Sequence, residues 1–154
     1  MSVRVVALVD DERDPLVALA RDYAKKTGRR YGFTIGLLKP KKRAASADDA
    51  RVVREEGELL LAASEGTHRI ALDAGGRAQT SEEFSARLER ALAGGRDVCF
   101  LIGGATGLSD AVRAAASETW SLSSLTLPHK LALLVVSEQI YRAFEIARGG
   151  PYHK

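Results

Sequence analysis

Short apolar runs rich in β-branched residues alternate along the whole chain with segments whose apolar residues recur at helical spacing, and few architectures accept that alternation. Val3–Val9 predicts a buried strand. A helix is expected from Pro15 to about Lys26, with Leu16, Leu19, Ala20 and Tyr23 at helical spacing and Gly28 as its stop. Tyr31–Leu38 predicts a second strand, followed by a basic loop, Lys39–Arg43. Ser46 with Asp49 resembles a capping box for a helix to about Ala62. Thr67–Leu72 predicts a third strand, and Asp73–Thr80 a turn region around Gly75-Gly76.

The second half continues the pattern. Thr80 and Glu83 form another capping-box pair for a helix to about Ala93, ended by Gly94-Gly95. Asp97–Ile102 is the most apolar strand and is expected at the centre of the sheet. Ser109 caps a helix to about Glu118, Trp120–Leu122 predicts a short strand, and Pro128 opens a long helix to about Arg148. Strands joined through helices imply right-handed crossovers and a mostly parallel sheet covered on both faces. The expectation is one α/β domain over residues 1–154, with about five to six strands.

Composition excludes whole classes. With 45% apolar and 28% charged residues, disorder, collagen and a coiled coil are ruled out as the main architecture. The longest apolar run, Leu131–Val136, is far below the ~20 residues that cross a bilayer. The N-terminus shows no basic region before its apolar run, and the single cysteine, Cys99, can form no internal bridge, so a cytoplasmic location is expected. Residues 1–70 hold 14 Lys/Arg against 11 Asp/Glu, while residues 71–154 hold nine of each. The excess clusters at Arg21, Lys25, Lys26, Arg29 and Arg30, then at Lys39, Lys41, Lys42 and Arg43. Such clusters suit a polyanion, and equally a solvated helix face and loop.

Ligands of open α/β sheets bind beyond the carboxyl ends of strands. Three ends stand out: Leu72-Asp73, the glycine-rich Ile102–Gly107, and Leu122 to Leu127. The glycines match neither a P-loop nor a dinucleotide fingerprint, so they indicate close backbone approach or a plain turn. His68, His129 and His153 lie far apart, without metal-ligand spacing, and no metal is expected. His68, Cys99 and Trp120 read as structural, although an aromatic beside a ligand loop could stack on a base, and Glu82-Glu83 read as charges favoured at a helix N-terminus. Three clusters resist a structural reading: Leu125–His129, Glu138 with Tyr141-Arg142, and the ending Gly149–Lys154. An intrahelical pair explains Glu138 and Arg142 equally well. The tail offers an aromatic ring, an imidazole and an ammonium, types that suit RNA.

The segments LIGGATGLS (101–109), WSLSSLTLPH (120–129), SEQIYRAFEI (137–146) and GGPYHK (149–154) resemble the SPOUT methyltransferases that modify N3 of a pseudouridine in bacterial large-subunit ribosomal RNA. REEGELLLAA (54–63) extends the resemblance over most of the chain. It implies a SPOUT-type α/β knot with a C-terminal trefoil, and a homodimer that acts on ribosomal RNA in the ribosome. S-adenosylmethionine is then expected against Leu72, Gly103, Leu122, Ser123, Ser124, Leu125, Thr126 and Leu127. The catalytic group would comprise Arg142 stabilising negative charge, Tyr152 positioning the base, and His153 or His129 near the departing proton. The chain departs from the family at Asp10-Asp11, where a glycine is usual, and at Leu133, where an arginine is frequent. A non-catalytic RNA-binding homodimer and a methyltransferase for another RNA position are the rival readings. Cofactor binding tests the first, and mapping the methylated nucleotide tests the second.

Overall fold

The computed structural model describes residues 2–41 and 49–154, so Lys42, Arg43 and the Ser46 cap lie outside the described residues, as does the Arg30 side chain. Among the described residues, strands and helices alternate strictly: β1 (Val3–Leu8), α1 (Pro15–Tyr31), β2 (Phe33–Leu38), α2 (Asp49–Ala63), β3 (His68–Arg77), α3 (Ser81–Ala93), β4 (Val98–Ile102), α4 (Asp110–Ala115), β5 (Glu118–Trp120) and α5 (His129–Ala147). The strands form one parallel sheet in the order β2-β1-β4-β3-β5. The expected central strand is β4, and every residue in it is buried.

Handedness explains which face each helix covers. The steps from β1 to β2 and from β3 to β4 run one way along the sheet and carry α1 and α3. The steps from β2 to β3 and from β4 to β5 run the other way and carry α2 and α4. Right-handed crossovers then place the two pairs on opposite faces. The period-two alternation of the strands agrees: Val3, Val5, Phe100 and Ile102 pack with α1, α3 and α5, whereas Val6, Leu8, Cys99 and Leu101 pack with Leu60 of α2 and Val112 of α4. Burial pushes the Cys99 thiol up to about 11, which fits a core residue with no reactive role.

Local signals decide most element ends. Asp14 caps α1 by accepting from the Leu16 N–H at 2.8 Å, with Pro15 at the first position. Thr80 and Glu83 form a complete capping box on α3. Gly28, however, does not stop α1; it sits where a Cβ would come 3.4 Å from the Phe33 carbonyl oxygen, and the helix ends at Gly32, whose φ is +65°. Gly75-Gly76 is not a turn either. β3 runs through it, and a Cβ on Gly76 would lie 2.8 Å from the Thr119 and Trp120 backbone, so the glycine permits close strand approach. Because Ile70–Leu72 pair with Glu118–Trp120, β5 starts two residues earlier than expected. α4 correspondingly closes at Ala115, where Ala116 turns to extended backbone.

Trp120 ties the sheet to α3. It is fully buried, edge-on to Phe84 at 5.1 Å and to Phe100 at 5.5 Å, with the Arg87 guanidinium 4.6 Å over its ring. Its indole N–H donates to Glu118 at 3.2 Å. Trp120→Ala is expected to cost about 3–5 kcal/mol in chemical denaturation, because the surrounding rings cannot close the void. A loss under about 1 kcal/mol would contradict this packing account.

Candidate functional site

The sheet order puts the ends of β3 and β4 side by side, and the segment after β5 folds back over them. Between these segments and the start of α5 lies a cavity of about 570 Å³. Its walls include Leu72 and Asp73, the 102–108 segment, Leu122, Ser123, Leu125–His129 and Ala132. All of the expected cofactor residues except Ser124 line it. Ser124 is exposed, while Ser123 instead turns its hydroxyl to the Leu125 N–H at 2.9 Å and shapes the loop.

Gly103 explains how narrow the cleft floor is. A Cβ there would lie 2.7 Å from the Gly107 carbonyl oxygen and 3.1 Å from Leu108 Cδ2. Gly107 itself needs its φ of +83°, and its N–H closes a turn on the Gly104 carbonyl at 3.0 Å. The glycines therefore serve close approach within the loop. Arg113 escaped sequence reasoning, since nothing local distinguishes it on α4. It bonds the Asp73 carboxylate at 2.8 Å and the Leu108 carbonyl at 2.8 Å, tying together two of the cavity's walls. The Arg113 guanidinium also holds the Asp73 carboxyl below its usual range.

His129 stands at the start of α5, lining both this cavity and a smaller neighbouring cleft of about 250 Å³. The buried Glu56 lies in that second cleft, accepting from the Lys41 N–H at 3.2 Å, together with Thr106, whose buried hydroxyl has no hydrogen-bond partner among the described residues. Lys130 does not face solvent as a free charge; it pairs with Asp14 at 3.2 Å.

Arg142, Tyr152 and His153 line neither cleft. They form a second cluster along α5. Arg142 donates to Glu138 at 3.0 and 2.6 Å, so the expected intrahelical pair is present and holds the guanidinium above its usual pKa. The same carboxylate accepts from the Tyr152 hydroxyl at 3.0 Å. Arg142 lies 4.7 Å over the Tyr152 ring, which meets Tyr141 edge-on at 4.8 Å. Burial, with the contacts to Tyr23 and Glu138, raises the Tyr152 phenol above its ordinary range and keeps it protonated. His153 bridges Arg142 and Glu82, a residue that sequence reasoning placed only as a helix-dipole charge.

Comparison with known proteins supports one family. Residues 1–153 match the family described as "Predicted SPOUT methyltransferase". The ribosomal RNA large subunit methyltransferase H of Methylococcus capsulatus is 40% identical over 134 residues, spanning 86% of each chain. A probable methylase family protein from Haemophilus influenzae superposes with a TM-score of 0.61 at 15% identity, over 99% of this chain and 70% of that one. A methylase family protein from Neisseria gonorrhoeae gives 0.57 at 19%, over 92% and 82%. These solved structures share the fold, and the glycine-floored cleft at the strand ends is where ligands of such sheets bind. With the match running almost from end to end, the chain belongs to the SPOUT methyltransferase family.

Proposed function

We propose that this chain is an S-adenosylmethionine-dependent methyltransferase of large-subunit ribosomal RNA, acting as a homodimer on N3 of a pseudouridine. The observation that carries this reading is the 40% identity to a ribosomal RNA large subunit methyltransferase across 86% of the chain. The trefoil knot implied by the resemblance belongs to the same reading.

The cavity fits that cofactor in size and chemistry. About 570 Å³ falls within the usual range for small-molecule sites. Leucines at 72, 122, 125 and 127 offer apolar walls for an adenine, while loop backbone groups can bond its edge and the amino-acid tail. Among the described residues, the Lys or Arg in the lining is Arg113, and it is already bonded to Asp73, so the site suits a sulfonium better than a phosphate ester. When bound, S-adenosylmethionine supplies a methyl group already activated on sulfur. The chain's own task is then alignment. Gly103 and the 122–127 segment hold the cofactor. Arg142 stabilises the negative charge left on the ring, Tyr152 positions it, and a histidine, 129 or 153, takes the imide proton. Exposed Lys25, Lys26 and Arg29 on α1 add the basic surface that a polyanion favours.

Because the tail cluster lies outside the cavity of its own chain, the tail of one protomer would serve the cavity of the other. α5 supports the dimer. Ile140 and Phe144 are buried, but Leu131 and Val135 stay half-buried and Leu125 is 72% exposed. Sedimentation is expected to give a dimer at micromolar concentration, and a stable monomer would overturn it. The function itself is tested by methyl incorporation from labelled S-adenosylmethionine into large ribosomal subunits, with free protein as the control. Counts in the RNA are expected; their absence with folded, cofactor-binding protein would support the non-catalytic RNA-binding reading instead.

A further inference from the structure

His153 has no free nitrogen. Its Nδ1 lies 3.0 Å from the Arg142 guanidinium, and its Nε2 lies 2.8 Å from Glu82 Oε1. A guanidinium only donates, so Nδ1 must be the nitrogen with the lone pair. Nε2 therefore carries the proton and donates to the Glu82 carboxylate. Both edges of the ring are used, in one tautomer. A general base needs an accessible lone pair within reach of the proton it takes, and the lone pair of His153 is already committed.

Those bonds belong to a continuous chain. Glu82 opens α3, His153 lies in the tail, and Arg142 and Glu138 project from α5, so the tail is clasped between two helices that are far apart in sequence. Tyr152 is held in the same clasp through Glu138 and the ring of Tyr141. We infer that Glu82 is a positioning residue for methyl transfer: it fixes the Nε2–H tautomer of His153, which then pins the tail so that Tyr152 and Arg142 meet the nucleotide, and His153 is not the base. Of the two histidines considered for the proton, His129 in the cavity wall is the one that remains. The effect on turnover rests on the methyltransferase reading above, but the tautomer does not. A surface pair of no consequence is the competing view, since the Glu82 side chain is 64% exposed.

Long-range ¹⁵N–¹H spectra of the full-length protein at neutral pH test the tautomer, with the His153 signals assigned by their loss in His153→Gln. The expected spectrum shows an unprotonated Nδ1 and a protonated Nε2, retained in Glu82→Gln, whose amide oxygen still accepts, and averaged over both tautomers in Glu82→Ala. Steady-state methyl transfer to ribosomes tests the role. Glu82→Ala is expected to lower kcat about tenfold or more at unchanged affinity for S-adenosylmethionine, with rescue by Glu82→Gln. His153→Gln, whose amide can donate to Glu82 and accept from Arg142, should lower kcat by about tenfold, well short of the ~10²–10⁴ expected for removing a base. A wild-type spectrum with the proton on Nδ1, Glu82→Ala with wild-type turnover, or His153→Gln falling by more than ~10² would each overturn the inference. If wild-type protein transfers no methyl to ribosomes, the proposed function fails, and the tautomer is still decided by the spectra.

Discussion

Replacing Gly103 by Val is expected to abolish binding of S-adenosylmethionine and S-adenosylhomocysteine in a protein that remains folded. The first added carbon alone would lie 2.7 and 2.8 Å from Gly107 backbone atoms and 3.1 Å from Leu108 Cδ2. Those neighbours are backbone, held by a turn at Gly107, so they cannot yield as a flexible side chain would. The 103–108 segment must shift outward, into the cavity it lines with Leu72 and the 122–127 loop. Overpacking of this kind costs about 1–3 kcal/mol of stability, which a domain of this size survives. That shift narrows the slot in which the cofactor is expected to lie. Titration calorimetry on protein whose melting is still cooperative checks this. Wild-type affinity in the variant would move the cofactor away from this cleft.

Deleting Tyr152, His153 and Lys154 is expected to leave cofactor affinity nearly unchanged and to lower methyl transfer by at least ~10²-fold, the scale of lost positioning. The separation follows from geometry, since the tail residues line neither cleft while the cavity contains none of them. Chain ends are usually frayed. This one is bonded to α3 and α5 through Glu82, Arg142 and Glu138, and packed on Tyr141. Truncated protein that binds cofactor and methylates ribosomes at the wild-type rate would confine the active site to the cavity.

Much of the fold was legible because its signals are local. The β-branched run at Val3–Val9, the proline at 15 and the Thr80–Glu83 box each act within a few residues, and all three appear where the chain says they should. Gly28 and Gly75-Gly76 misled for different reasons. A glycine read along the chain signals a stop or a turn, but α1 runs through Gly28 to the positive-φ Gly32, and Gly76 admits the Thr119-Trp120 backbone, from which a Cβ would lie 2.8 Å. The cavity was legible as strand ends that converge once the sheet is parallel. Arg113 was not, because its partner Asp73 lies 40 residues away. Glu82 was hidden in the same way: its bond to His153 spans 71 residues, and no periodicity reports such a pair. The departures at Asp10 and Leu133 also resolve differently. Asp10 lines the smaller cleft beside His129, whereas Leu133 is fully buried in the core, where an arginine could not be solvated.

The most direct measurement of the central claim is the identity of the methylated nucleotide. Large ribosomal subunits from cells lacking the modification would be incubated with the protein and S-adenosylmethionine, and their RNA digested to nucleosides for mass spectrometry. The account predicts one new nucleoside, pseudouridine carrying its added methyl on N3, formed only when protein and cofactor are both present. A methyl group on any other nucleoside, or none on RNA from subunits that the protein demonstrably binds, would contradict it.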